Sequence, residues 1–230
     1  MGQNGGPKLP LSGLQFLVDT RNVISVDTSY VTDFISKTSA TITSSSLSGL
    51  GTTKGLLLSL AASVLSFANM NSLSFSSLTI SSWIFPLSFG IGNSQGRIFD
   101  KSSFASPFYG YLFFVNNTTA TKAIHYACGN FFTNTGGYIN NSVDLNSWQH
   151  FAVTHSGTTA IFYKNGVSIG SSTNIFGATN ISNMSAYIGN SSLSDRAFDG
   201  KIASVRVYNR VLSETEISQL YTSTKSRYGL

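Results

Sequence analysis

The sequence predicts an all-β fold, an antiparallel sandwich of two sheets with one short C-terminal helix. Short stretches in which apolar and polar residues alternate recur along the chain, which is typical of half-buried strands. Turn-forming residues separate these stretches, and one segment near the C-terminus carries helix signals. Of the 230 residues, 41% are hydrophobic and 13% aromatic, so the chain can fill a sizeable core. We expect a single domain over residues 14–230, preceded by a flexible Gly- and Pro-rich arm over residues 1–13.

The N-terminal half is predicted to form short strands. The first is the apolar stretch 14–18, and the alternation over 73–76 is assigned to another. The apolar run 56–68 is also assigned to strands, because serines interrupt it at spacings that do not suit a helix. Clearer strands follow at 79–85 and 110–115. The first is ended by Pro86 and the second by the turn-forming pair Asn116-Asn117.

Residues 148–167 predict a double hairpin. A strand at 148–155 is followed by a turn at 156–158 and a second strand at 160–164. Asn165 and Gly166 come next, and an Asn-Gly pair readily adopts the positive φ angles of a two-residue type I′ turn. A third strand is therefore expected directly after Gly166.

The last predicted strands are 186–189 and 201–208. Alternation along 201–208 predicts one buried face and one face in contact with water. The predicted buried face contains Ala203, Val205 and Val207, and the predicted wet face contains Ser204, Arg206 and Tyr208.

The C-terminal helix is predicted from its first turn. Ser213 is a favourable N-cap residue, and Glu216 follows three residues later, which completes a capping box. Ile217 and Leu220 then share a side that can pack on the sandwich.

The composition excludes several classes of protein. Only 10% of the residues are charged and the net charge is +5, without a basic run interleaved with aromatics, so we expect no nucleic-acid partner. The lone cysteine, Cys128, excludes an intrachain disulfide. Apolar runs are too short to span a membrane, so no membrane insertion is expected. The N-terminus does not match a secretory signal, which predicts synthesis in the cytoplasm.

Four segments, in order, resemble the laminin G-like, concanavalin A-like jelly-roll domain. They are 78–84 with Trp83, 148–153 beginning at Trp148, 161–166 ending in Asn165-Gly166, and 198–217 with Gly200, Ser213 and Glu216. The resemblance implies two antiparallel sheets packed face to face, with Trp83 and Trp148 in the core pattern. It also implies that ligands contact rim loops or a concave face.

Two shorter segments, 13–19 and 225–230, are similar to variants of this domain in bacteriophage and other viral structural proteins. This similarity implies a virion structural protein, a capsid decoration or a tail or appendage subunit, that lies on the virion surface and binds itself and other virion proteins. The first alternative is a carbohydrate-binding adhesin for host or environmental glycans, reaching the extracellular space by a non-classical route. A glycoside hydrolase is a remote alternative, since the same fold hosts such enzymes.

The acidic residues do not predict an active site. A retaining glycoside hydrolase needs two carboxylates about 5 Å apart, commonly from alternating positions on one strand. None of the nine acidic residues form such a pair. Glu214 and Glu216 lie in the first turn of the helix, where their negative charges interact favourably with the helix dipole. We therefore predict that the protein is not an enzyme.

The histidines do not predict a zinc site. His150 and His155 are five residues apart on one strand and therefore project to opposite faces. His125 and Cys128 are three residues apart and therefore also project to opposite faces of a strand. The sequence offers no second ligand pair to complete a tetrahedral zinc site.

Calcium is the cofactor that the sequence allows but does not favour. Asn190, Asp195 and Asp199 could form one cluster of oxygen ligands in a loop. The simpler interpretation is that they are turn residues. Where members of the resembled family often carry Asp after the conserved Gly, this chain has Ala203 and Ser204, so no cofactor is expected.

Exposed aromatics in loops are the predicted ligand or interface residues. Large aromatic side chains anchor many interfaces, and their faces pack against sugar rings. The candidates are Tyr109, Phe131, Phe132 and Tyr138.

Overall fold

The computed structural model describes residues 9–20, 30–43, 56–58, 62–103, 109–118, 120–129, 136–173, 175 and 184–230. In these residues two seven-stranded antiparallel sheets pack face to face. Sheet I contains β1 (Leu14–Asp19), β3 (Leu56–Leu58), β5 (Ser77–Pro86), β11 (Gln149–Ser156), β12 (Thr159–Lys164), β13 (Val167–Ser172) and β16 (Gly200–Tyr208). Sheet II contains β2 (Thr41–Thr43), β4 (Val64–Phe67), β7 (Arg97–Ser102), β8 (Gly110–Asn116), β9 (Ala123–Cys128), β10 (Gly136–Ile139) and β14 (Ala186–Ile188).

Smaller elements complete the fold. Strands β6 (Ile91–Gly92) and β15 (Arg196–Ala197) form a separate pair, and helix α1 (Glu214–Thr224) follows the last strand. Short 3₁₀ helices lie at Asn71–Leu73 and Lys225–Tyr228. The predicted all-β sandwich with a short C-terminal helix is confirmed.

The chain crosses repeatedly between the two sheets, as in a jelly roll. Neighbouring strands in sheet I follow the order β1, β16, β5, β11, β12, β13, with β3 also paired to β16. In sheet II the order is β10, β9, β8, β7, β14, β4, β2. Strands from both halves of the sequence therefore lie side by side in each sheet.

The main core lies between the sheets. Phe16 of β1 packs edge-on against Phe67 and Phe99, with ring centroids 5.1 and 5.6 Å away. All three rings are fully buried, and burial of each such side chain contributes about 2 to 3 kcal/mol relative to exposure. The interior face of both sheets is predominantly apolar, as the period-two pattern requires.

The outer face of sheet I is covered by helix α1 and the C-terminal tail. Ile217 and Leu220 of the helix pack with Tyr208 and other outward-facing residues of sheet I in a second apolar cluster. The predicted wet face of β16 is therefore buried, because Ser204, Arg206 and Tyr208 lie beneath this layer. The strand pattern alone could not reveal the covering layer.

A bulge in β16 changes the predicted facing of Ala203. The pairing with β5 shifts register between Ile202 and Ser204, so one additional residue is accommodated there. Ala203 consequently packs on the outer face with Trp83 and Tyr228, whereas Val205 and Val207 lie in the main core as predicted.

The predicted strand at 73–76 is wrong. Residues Asn71–Leu73 form a 3₁₀ helix, and β5 begins only at Ser77. Leu73 is buried through this turn, and its carbonyl accepts a hydrogen bond from the hydroxyl of Tyr111 at 3.0 Å. Apolar spacing that suggested a strand thus arises from a turn that inserts Leu73 into the core.

The turn and cap signals are confirmed. Asn165 and Gly166 both have positive φ, 52° and 82°, between β12 and β13. The Ser213 hydroxyl accepts from the Glu216 amide, and the Glu216 carboxylate accepts from the Ser213 amide, which forms the capping box.

The two ends of the described chain meet on sheet I. Asp19 at the end of β1 accepts two hydrogen bonds from Arg227, at 2.7 and 2.9 Å, and lies 3.8 Å from Arg206. Bidentate guanidinium–carboxylate pairing is among the stronger charged contacts. It fastens the C-terminal tail to the first strand.

Residues 10–13, assigned from sequence to the flexible arm, also contact the domain. The carbonyls of Pro10 and Ser12 accept hydrogen bonds from Tyr208 and Arg210, and the Gly13 carbonyl accepts from the Asn209 amide. These residues therefore belong with the sandwich, and residues 1–8 lie outside the described part. No helix among the described residues is long and apolar enough to cross a membrane.

Candidate functional site

Four side chains stand in register across the outer face of sheet II. Arg97 of β7 pairs with Phe114 of β8, Phe114 with His125 of β9, and His125 with Tyr138 of β10. We call these four residues the cross-strand row. Directly opposed residues in antiparallel strands have side chains close enough to contact one another, so the register itself creates the row.

The alternation of the strands directs the row away from the core. Phe113 and Val115 flank Phe114 in β8 and lie in the main core. Ile124 and Tyr126, which flank His125 in β9, also lie in the core. Phe114 and His125 must therefore project from the opposite face.

The rings of the row stack in sequence. The Arg97 guanidinium carbon lies 4.3 Å from the centre of the Phe114 ring. Phe114 and His125 have ring centroids 4.9 Å apart, and His125 and Tyr138 are 4.6 Å apart and nearly parallel at 5°. Exposure increases along the row, from 4% for Arg97 to 49% for Tyr138. The row thus presents an aromatic surface at one end and a buried cation at the other.

His125 is held as a neutral imidazole. Burial, followed by the positive charge of Arg97, lowers its pKa to about 4. The Asn116 side-chain oxygen accepts from the Thr118 amide, so its nitrogen is the donor to His125 Nε2 at 3.2 Å. The ring proton is therefore on Nδ1, which can donate a hydrogen bond.

Arg97 lies beside a buried carboxylate. Its Nε is 3.3 Å from Asp100 Oδ2, but Nε, Nη1 and that oxygen have no hydrogen-bond partner among the described residues. Ser102 donates to the other oxygen of Asp100 at 2.6 Å. Burial raises the pKa of Asp100 to about 6 and lowers the pKa of Arg97, while their mutual attraction opposes both changes.

A rim groove of about 390 Å³ lies at the loops that flank β9 and β10. It is lined by Phe89, Lys122, Asn141, Val143, Asp144 and Leu145. The loops before β9 and after β10 meet here, since the amide of residue 141 donates to the carbonyl of Thr121 at 2.8 Å. Polar groups and apolar side chains therefore share one concave surface at this rim.

A family model described as the concanavalin A-like lectin/glucanases superfamily matches residues 61–218. The chain belongs to this superfamily. No curated protein sequence matches the chain.

Solved structures of the same superfamily fold resemble this domain. Domain 4 of AbnA, a GH43 extracellular arabinanase from Geobacillus stearothermophilus solved with arabinotriose, has a TM-score of 0.63 at 17% identity, covering 91% of this chain and 98% of that domain. Trypanosoma rangeli sialidase in complex with sialic acid has a TM-score of 0.67 at 15% identity, covering 95% of this chain and 34% of the sialidase. The binding domain of Paraclostridial Mosquitocidal Protein 1 has a TM-score of 0.64 at 18% identity, covering 92% of this chain and 52% of that chain. At these identities the comparisons show a shared fold.

Within this concanavalin A-like domain, one of the predicted ligand aromatics lies in the row. Tyr138 is on β10 rather than in a loop, and it stacks on His125. Tyr109 is also exposed, at 44%, but it lies just before the first residue of β8 and is not part of the row. Phe131 and Phe132 lie outside the described residues. The sequence contained no local signal for Arg97 or Phe114.

Two members of the predicted oxygen cluster, Asn190 and Asp195, are engaged in contacts within their own loop. The Asn190 side-chain oxygen accepts from the amides of Ser191 and Arg196, each at 2.9 Å. Asp195 accepts from the Ser191 hydroxyl at 2.7 Å and pairs with Arg196 at 2.9 Å. The backbone carbonyl of Asp199 accepts from the Leu87 amide at 2.8 Å. In the described parts of the chain, no group of three or more His, Cys, Asp or Glu side chains could hold a metal ion.

Two histidines lie on opposite faces of β11, as predicted. His150 contacts the Ser81 hydroxyl at 2.8 Å on the outer face of sheet I. His155 contacts the hydroxyl of Tyr126 at 3.0 Å, on the core side. Burial holds the pKa of both imidazoles below its ordinary value, so both are neutral near pH 7.

Trp83 and Trp148, two of the predicted structural residues, contact the C-terminal tail. Trp83 is fully buried, donates to the Thr224 hydroxyl at 2.9 Å and stacks on Tyr228 at 4.2 Å. Trp148 is half-buried, 4.8 Å from the same tyrosine ring. Gly200 has φ of 141°, and a Cβ there would collide with a carbonyl oxygen of β5, so this position requires glycine.

Proposed function

We propose that this domain is a non-enzymatic carbohydrate-binding module and that the glycan contacts the cross-strand row of sheet II. The observation that carries the proposal is the stack of Tyr138 on His125. One side of the tyrosine is supported by a parallel ring, and about half of its surface remains exposed. A fixed, flat, exposed aromatic ring is suited to stacking against the apolar face of a sugar.

The row also offers polar contacts. Neutral His125 can donate from Nδ1 to a sugar hydroxyl, and Asn116 fixes the orientation of the imidazole through its other nitrogen. The rim groove at the loops that flank β9 and β10 offers amide, ammonium and carboxylate groups within one concave surface. Hydrogen-bonding groups placed around an aromatic ring are what recognition of a sugar requires.

The similar structures support this proposal. AbnA domain 4 was solved with arabinotriose, and the Trypanosoma rangeli sialidase was solved with sialic acid. A domain that shares their fold and carries one exposed aromatic ring on a supporting stack is a candidate for the same class of ligand by analogy.

The carboxylates of the described residues favour binding over hydrolysis. Asp19 and Asp100 lie on strands, but in different sheets. Asp19 is paired with Arg227, and Asp100 lies buried beside Arg97. A two-carboxylate mechanism needs both groups on either side of one bond, which these positions do not provide.

The test is a glycan array followed by titration of the tightest ligand. Tyr138→Ala should weaken binding by about tenfold, because stacking of this kind contributes on the order of 1 kcal/mol or more. Tyr109→Ala is the matched control, since it removes a similarly exposed tyrosine outside the row, and it should bind like wild type. The proposal would be contradicted if wild type showed no competable binding. It would also be contradicted if Tyr109→Ala lost binding while Tyr138→Ala retained it.

We propose a virion structural subunit as the second candidate. It is favoured by the low charge of the chain, 10% of residues, together with exposed leucines in the rim loops. Leu87 and Leu145 are in loops joined by the Asn146 amide, which donates to the Pro86 carbonyl at 2.8 Å. Exposed apolar groups of this kind are often covered by neighbouring subunits. Light scattering should then show a stable oligomer, and a monomer that fails to bind particles would count against it.

A further inference from the structure

The segments that form the surface around Tyr138 are poor in charged residues. From residue 102 to residue 143 the one charged side chain is Lys122, and residues 165–194 contain none. Charged residues make up 10% of the whole chain, so both stretches carry less charge than the rest of the sequence. Serine, threonine and asparagine supply most of their polar groups.

The fold brings these two stretches together. Strands β9 and β10 belong to the first stretch and β13 to the second, and β10 and β13 are the terminal strands of their sheets. A Cβ at Gly137 of β10 would lie 2.5 Å from the Cβ of Ser172 in β13, and a Cβ at Gly170 would lie 2.7 Å from Ile139 Cδ1. The two edges therefore pack closely. We call β9, β10 with the turn residue Asn140, and β13 the neutral flank.

The stack on His125 directs a ligand of Tyr138 to this flank. His125 lies on β9 and covers one face of the Tyr138 ring, so the opposite face is directed away from β9. Because β10 is the last described strand on this side of sheet II, that face lies over the edge of the sheet. A sugar stacked there lies beside β10, where the exposed amide of Asn140 follows two residues after Tyr138.

The cations Arg97 and Lys122 are not placed to hold an acidic ligand on Tyr138. Arg97 is 4% exposed and forms an ion pair with the buried Asp100 at 3.3 Å. Lys122 precedes His125 by three residues, which places it about 10 Å away along the strand, roughly one Debye length at 0.1 M salt. Among the described residues of the flank, a ligand on Tyr138 therefore contacts uncharged groups.

We infer that the glycan stacked on Tyr138 is uncharged and that hydroxyl and amide groups of the neutral flank hold it. This inference rests on the proposed function and specifies its ligand class. Sugar hydroxyls exchange hydrogen bonds to water for hydrogen bonds to such groups at little cost. A carboxylate or sulfate would lose part of its hydration there without gaining a counter-ion, which is unfavourable.

The test compares neutral glycans with acidic forms of the same size. Trigalactose is paired with trigalacturonic acid, and N-acetyllactosamine is paired with its 6-sulfated form. Wild type should bind at least one neutral glycan about tenfold or more tightly than its acidic partner. Its affinity for that glycan should change less than about twofold between roughly 0.05 and 0.5 M sodium chloride, because salt screens only charges.

An added charge tests the role of the flank directly. Asn140→Lys places an ammonium group two residues from Tyr138 and should lower the ratio of neutral to acidic affinity about threefold or more. Ser171→Lys is the matched control, because it adds the same charge at an exposed position of β13. Ser171 pairs with Ile161, which packs on the helix side of sheet I, so the control cation faces away from Tyr138. The control should keep the wild-type ratio.

The outcomes separate this inference from the proposed function. If wild type binds an acidic glycan as tightly as its neutral partner, or if all glycans bound on the array are acidic, the inference is wrong and glycan binding by the row still stands. The inference also fails if Asn140→Lys leaves the ratio unchanged, or if Ser171→Lys shifts it equally. If wild type binds neither member of either pair and the array is blank, the proposed function itself fails.

Discussion

Acidification should destabilise the domain through His150, which is buried as a neutral imidazole. Burial, followed by the charge of Arg206, lowers its pKa from 6.5 to about 3. In the unfolded chain the same imidazole takes up a proton as the pH falls below about 6.5. The unfolded state then binds more protons than the folded state, so stability decreases with falling pH over the range from about 6.5 to 3.

The size of this effect follows from the difference between the two pKa values. Each pH unit between them is equivalent to about 1.4 kcal/mol, so His150 should cost about 2 kcal/mol of stability at pH 5 relative to pH 7. His125, with a pKa of about 4, acts in the same direction. Asp100, whose pKa is raised to about 6, acts in the opposite direction, because its protonation favours the folded state.

A comparison with His150→Gln isolates the contribution of this residue. Glutamine retains a hydrogen-bonding group near Ser81 and cannot titrate, whereas His125 and Asp100 are unchanged in the variant. Denaturant unfolding at pH 7 and pH 5 gives the free energy of unfolding for both proteins. The stability advantage of wild type over the variant should shrink by about 2 kcal/mol at pH 5. Parallel curves for the two proteins would show that His150 titrates normally, and would refute the reasoning.

Three substitutions test the contacts that hold the fold. Ser213→Ala should lower the free energy of unfolding by about 1 kcal/mol through loss of the helix cap, and an unchanged denaturation midpoint would contradict this. Asp19→Asn should cost about 3 kcal/mol, because it removes the carboxylate that pairs with Arg227 and lies 3.8 Å from the buried Arg206, and limited proteolysis should then cleave the C-terminal tail faster. A tail as resistant as in wild type would argue against the clamp. Gly200→Ala should cost on the order of 2 kcal/mol or more, since a φ of 141° is unfavourable for alanine and the new Cβ would collide with the Phe85 carbonyl oxygen. A thermal melting midpoint that did not fall would contradict this.

Local signals in the sequence predicted the local structure well. Asn165-Gly166 and Ser213 to Glu216 act within a few residues, so their turn and cap could be derived from backbone preferences alone. The fold class followed from the strand period and from the resemblance to laminin G-like domains. Ala203 was assigned to the wrong face because a bulge depends on how two strands pair, which the period of one strand does not contain.

The candidate site was mostly beyond local inference. Tyr138 was named as an exposed aromatic, but the row requires the register of four strands whose residues are spread from position 97 to 138. Arg97 is an ordinary basic residue in the sequence, and its unpaired donors become evident only when its burial is known. The covering of Ser204 and Tyr208 by the C-terminal layer was missed for the same reason, since tertiary contacts decide it.

An NMR titration tests the central claim most directly. The tightest glycan from the array is added to ¹⁵N-labelled protein, and amide shift changes are mapped onto the two sheets. Binding by the row predicts changes concentrated at residues 97, 114, 125 and 138 on the outer face of sheet II, with little change under helix α1. Changes confined to sheet I, or the absence of any saturable change, would contradict carbohydrate binding at the cross-strand row.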